Sequence, residues 1–173
     1  MKDTWNLDVI YRGFEDPAFA TDLEAMQAVV KEFNVFSEKL ESMDTLEGLR
    51  GGIAWEEKLM ELGMKLASYA QLRQSVNTRD FECGSRLGQI MQLFSAAAGA
   101  EAAWKQWAAG RTDLMEQVSG DEGLKEYTFL FENLQKDSVH LLGTLGEQIS
   151  ARMALSGSNA WSEMHGYLTS TVP

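Results

Sequence analysis

Two histidines, one cysteine and a few carboxylates near them are the residues of this 173-residue chain whose types and spacing could do chemistry. Asp137 and His140 stand at i, i+3, which places both on one face of a helical segment. A carboxylate-bridged di-metal bundle needs two Glu-x-x-His pairs and two further glutamates. Here there is one approximate pair, so His140 reads as a solvated or capping residue. His165 follows Trp161 by four positions and reads as a ring laid against that indole rather than as a metal ligand. Cys83 lies in "RDFECGSRLG", in the first turns of a helix, where the dipole can favour a thiolate. It would act as a nucleophile only beside a histidine base, and a buried thiol is the expectation. A single cysteine excludes an internal disulfide and a thiolate metal cluster. The phosphate-cradling patterns GxxxxGK[ST] and GxGxxG are both absent. Taken by themselves, the residues assign no catalytic, cofactor-binding or metal-ligating side chain.

The elements that would position such residues are helical. Asp16 followed by Pro17 is a helix start, an acceptor for free N–H groups before a residue that has none to lose. From there Phe19, Leu23, Met26, Val30, Phe33 and Leu40 recur at helical spacing, one apolar stripe reaching about residue 42. "SMDTLEGLRGGI" breaks the pattern, with Gly51 and Gly52 as its strongest punctuation. A second stripe carries Leu59, Leu62, Leu66, Tyr69, Leu72 or Arg73, and then Val76. "NTRD" then turns the chain, with Thr78 or Asp80 as the next cap. The third helix holds Phe81, Leu87, Met91, Phe94 and Ala98 and runs through an alanine-rich stretch to Trp104 and Trp107, closing at "AAGRTD". Those two tryptophans, three apart, read as core or as a docking face rather than as a ligand box. The nine methionines, mostly on the stripes, read the same way.

Beyond "SGDEG" a shorter helix holds Leu124, Tyr127, Phe131 and Leu134, and a last set spans about Leu141 to Leu155. Ser156, Gly157 and Ser158 turn the chain into a terminal amphipathic helix with Trp161, Met164 and Leu168 on one face. Thr169 to Val172 is a β-branched run that reads as a nascent strand. The expected fold is all-α: long antiparallel helices, smaller helices packed on them, and that strand start at the C-terminus. Residues 1–173 form one domain, with a possible sub-division near 110–120.

Composition narrows the partners. With 26 acidic and 15 basic side chains the formal charge is −11, which repels nucleic acid and anionic membrane alike. No apolar run approaches the ~20 residues of a membrane span. The acidic opening "MKDTWNLDVIYRGFEDP" lacks the apolar segment of a signal peptide. A cytoplasmic location is the expectation.

Four stretches, in order, carry a resemblance. "WNLDVIYRGFEDPAFATDLEAM", "LASYAQLRQSVNTRD", "YTFLFENLQKDSVHLLGTLGEQI" and "SGSNAWSEMHGYLTSTV" together resemble the N-terminal region of oligoendopeptidase F and its relatives, zinc metallopeptidases of the thimet oligopeptidase type. In that family the last stretch leads into a strand ahead of the catalytic domain. The resemblance implies a parent enzyme that hydrolyses short peptides, using a His-Glu-x-x-His helix whose histidines hold zinc and whose glutamate activates water. Here Leu141 follows His140 and Gly166 follows His165, so neither histidine begins that motif. No catalytic or metal residue is carried over, no cofactor is expected in this chain, and zinc is expected in a catalytic domain that lies beyond it.

The reading is therefore a non-catalytic N-terminal helical domain that walls the peptide channel of such an enzyme. Its partners would be the missing C-terminal catalytic domain and oligopeptide substrates of the parent, with a homo-oligomer also open. Two rivals remain: a free-standing helical interaction module, and a small-ligand-binding bundle. A reading frame that continues past Pro173 to a His-Glu-x-x-His motif favours the first reading, a stop codon the second, and a co-purifying small molecule the third.

Overall fold

In a computed structural model, which describes residues 6–77, 79–140 and 142–170, the chain is all-α. Three long helices, α1 (Pro17–Ser37), α2 (Thr45–Val76) and α3 (Phe81–Ala109), each pack against the other two. Then come α4 (Leu114–Gly120), α5 (Thr128–Asp137), α6 (Thr144–Ser156) and α7 (Ser158–Ser170). Single 3-10 turns at Leu40–Ser42, Lys125–Tyr127 and Ser138–His140 join some of them.

Each long helix begins on an aspartate. Asp16 accepts from the Ala18 N–H at 2.9 Å, Asp44 from Leu46 and Glu47, and Asp80 from Glu82 and Cys83. Each carboxylate thereby satisfies donors that have no partner inside the helix and meets the positive end of its dipole.

Most residues of the stripes named above join two adjoining cores, whereas Leu72, Val76 and Phe81, at the facing ends of α2 and α3, are exposed. Toward one end Tyr11, Phe14, Phe19, Met26, Leu66, Tyr69 and Ile90 pack together. There Tyr11, Phe14, Phe19 and Tyr69 meet edge to face at 5.2–5.5 Å, an arrangement worth more than its buried area alone. Toward the other end Phe33, Leu49, Ile53, Trp104 and Trp107 join Leu114, Val118, Leu124 and Phe131. Trp55 touches both cores.

The helix break expected at Gly51–Gly52 does not occur: α2 runs through it without interruption. These glycines are seats for aromatic rings. A methyl group on Gly52 would lie 1.9 Å from Trp104 Nε1, and one on Gly48 would lie 2.3 Å from the Trp107 ring. Trp104 Nε1 donates to the Gly48 carbonyl at 3.0 Å, which only so close an approach allows. The actual break falls earlier, at Met43–Asp44.

Two further expectations are corrected. The segment around "SGDEG" is not all connection, because Leu114–Gly120 forms α4, with Leu114 and Val118 one turn apart and fully buried. Nor does a strand begin at Thr169: Thr169 and Ser170 continue α7. Their hydroxyls donate back to the carbonyls of His165, Gly166 and Tyr167, the local bonding that lets such residues stay helical. Thr171, Val172 and the stop at Pro173 lie outside the described residues, as does Thr78 of the expected cap pair.

Candidate functional site

The structure does not gather the chemistry-bearing residues. His140 lies in the 3-10 turn after α5 and is exposed, as is Asp137 at the end of α5. His165 lies on α7 and is exposed, as is Trp161 one turn before it. Cys83 is fully buried in the first turn of α3. Among the described residues, no three His, Cys, Asp or Glu side chains are grouped to hold a metal ion.

Cys83 shows which effect wins at a helix start. The dipole favours a thiolate there. Burial and the hydrogen bond and negative charge of Asp80 oppose it, and the thiol is pushed up to about 11. At neutral pH it is a protonated, sequestered core residue rather than a nucleophile.

The charged groups instead tie elements together. Arg50 on α2 pairs with Asp121, which follows α4, and the other oxygen of Asp121 accepts from Gly123 and Leu124 at 3.1 Å. Arg50 first, then these backbone donors, hold the Asp121 carboxyl below its ordinary range. Ionisation of Asp121 therefore favours the fold above the ordinary carboxylate range, and that contribution is lost as pH falls through the lowered value. Tyr11 and Lys65 both donate to Asp22 Oδ2 at 2.6 Å, fastening the N-terminal segment to α1 and α2. Lys105 on α3 stands between Glu101 and Glu56, the latter 3.3 Å away on α2. Burial raises the Glu56 carboxyl.

What remains is a concave surface. Between α7 and the facing ends of α2 and α3 lies an open groove of about 710 Å³, lined by Gln74, Phe81, Gly84, Glu163, Met164 and Tyr167 among others. It continues beside α3 into a second hollow of about 480 Å³ that reaches Met91 and Leu155. Sequence reasoning placed Trp161, Met164 and Leu168 on one face of a terminal helix but gave no sign of a groove, because nothing in a single stripe reveals how far a helix stands from its neighbour.

No family model matches the chain, and no solved structure matches it. Over 169 residues, 95% of its length, it is 24% identical to the oligopeptidase PepF of Bacillus subtilis (strain 168). The relationship to PepF is distant. The chain spans about a quarter (25%) of that relative's length. Among the described residues, no helix is long and apolar enough to cross a membrane.

Proposed function

We propose that this chain is the non-catalytic, N-terminal helical domain of a PepF-like, zinc-dependent oligoendopeptidase, forming one wall of the channel through which the parent takes short peptides. The observation that carries this is the likeness to PepF along 95% of this chain but only 25% of that protein. The residues present do not fit zinc, being two exposed histidines on separate elements and a buried, protonated thiol. On this reading the metal ligands and the water-activating carboxylate belong to the remaining polypeptide, and no step of hydrolysis is assigned to this chain.

What the chain supplies is shape. At 1.5 Å per residue the 32 residues of α2 extend about 48 Å. With α1 and α3 packed on it, α2 makes a stiff slab that would let an extended peptide pass and turn a folded globule away. The test is peptide hydrolysis. Residues 1–173 should cleave no short peptide with or without added zinc, whereas the protein lengthened along its own reading frame should cleave oligopeptides and spare folded proteins. Metal-dependent hydrolysis by residues 1–173, abolished by a chelator, would overturn the assignment.

A further inference from the structure

α6 and α7 run back along α3 in one antiparallel register. Gly143 lies near Gln106, Gln148 abuts Gly99, and Glu163 lies near Gly84. α6 packs closely on α3, while α7 stands off it across the groove. On α6, Gln148 and Leu155 face α3; Leu145, Ile149 and Met153 lie roughly 110° round the helix from them. On α7, Trp161 and Met164 lie roughly 110° round, in the same sense, from the groove-facing Glu163 and Tyr167. The two stripes therefore share one flank.

That flank is open. Leu145 is 69% exposed, Met153 67% and Trp161 67%, and Phe81 at the groove mouth is 85% exposed. With Ile149 and Met164, and with Tyr167 and Phe81 extending the surface round the rim of the groove, these side chains present roughly 900 Å² of surface, on the order of one partner's share of a standard interface. Its chemistry also differs from the rest of the molecule. Residues 141–173 carry only Glu147, Arg152 and Glu163 as charges, a net −1 of the chain's −11. Depletion of charge with Trp, Tyr and Met in its place is the composition of an interface core.

We propose that the flank formed by α6, α7 and Phe81 seats the further polypeptide of a PepF-like chain through a neutral, apolar face of that polypeptide. This rests on the function proposed above. Two observations choose this occupant over a second copy. Three quarters of the matched relative lies outside the matched part, whereas a copy would bring its own −11 and be repelled.

The test compares residues 1–173 with the protein lengthened along its own reading frame, by amide hydrogen exchange over residues 144–170. Exchange there should be at least ~10-fold slower in the longer protein. Trp161→Glu should abolish that slowing while leaving exchange in α1–α3 unchanged, and Met60→Glu, an exposed site on α2, should leave it intact. Because Trp161→Glu should not disturb helicity in residues 1–173, a folding failure can be told from a lost interface. Slow exchange without peptide hydrolysis would keep the interface and remove the peptidase reading. Hydrolysis with residues 144–170 still exchanging fast would do the reverse. A frame that closes at Pro173 overturns the proposal, as does a concentration-dependent dimer of residues 1–173 that Trp161→Glu dissolves.

Discussion

The three-helix body and the α6–α7 arm are built from similar helices but treat their apolar side chains in opposite ways. In the body, Met26, Phe33, Leu49, Leu66, Ile90 and Trp104 are all buried to 1% exposure or less. Along α6 and α7 no residue is buried. Both regions have an apolar stripe at helical spacing, so the stripe alone does not determine burial. What differs is the opposing surface. α2 presents glycines where the rings of α3 arrive, whereas the outer flank of α6 and α7 faces nothing within the described chain. An apolar stripe states a demand for a neighbour, and only the small residues on another helix show that the demand is met internally.

The sharpest way to break this contrast is to empty the body. Phe33, on α1, is fully buried in the core that holds Leu49 and Trp104. Phe33→Ala should cost about 4 kcal/mol from lost transfer energy and the cavity left behind. Urea unfolding followed by circular dichroism would read this as a large fall in midpoint. A loss under 1 kcal/mol would mean that the second core is loosely packed and the contrast with the arm is false.

Adding an atom to the body tests the same idea from the other side. Helix propensity alone says that Gly52→Ala should gain up to about 1 kcal/mol. The new methyl would overlap Trp104 at 1.9–2.5 Å, displacing the indole from its hydrogen bond to Gly48. Overpacking and the lost bond together outweigh the gain, so a net loss of about 2 kcal/mol is expected. Stabilisation by this substitution would show that the ring seat is not tight.

Gly88, within α3, borders the hollow beside the arm, and a methyl there meets nothing within 4 Å. Gly88→Ala should therefore follow propensity and stabilise by about 0.7 kcal/mol, opposite in sign to Gly52→Ala. Two glycines in helices, indistinguishable by local sequence, are separated by whether a ring lies above them.

That pair explains how much was legible in the sequence. Asp16, Asp80 and the stripe of α1 were readable because capping and amphipathicity are local; along the first half of α3 the buried positions are Cys83, Ile90 and Ala97 rather than the larger residues of the expected stripe. Gly51–Gly52 misled because local rules treat glycine as a breaker, while its role here is set by Trp104, more than fifty residues away. α4 was missed because two buried residues make too short a stripe to register. The strand expected at Thr169 failed because β-branching is a weak, context-dependent preference, and Thr169 and Ser170 extend a helix already established by the preceding residues of α7. The candidate groove was not legible at all, since it depends on the distance between α7 and α3. The demotion of His140, His165 and Cys83 rested on the partners that each chemistry would require at fixed spacings.

The smallest effect completes the comparison. Trp161 is the bulkiest side chain on the arm, and a tryptophan lost from a core typically costs about 3–5 kcal/mol. Its indole is 67% exposed, so truncation leaves no cavity and forfeits little buried area. In residues 1–173, Trp161→Ala should change unfolding free energy by no more than about 0.5 kcal/mol, helped slightly by the better helix propensity of alanine. Fluorescence quenching by acrylamide should show a readily quenched indole component in the wild-type chain that diminishes in Trp161→Ala. A loss above 2 kcal/mol would place Trp161 in a core of this chain, and the arm would then be part of the body rather than a surface waiting for one. A near-zero cost here, beside the large cost at Phe33, is what a helix prepared for an external neighbour requires.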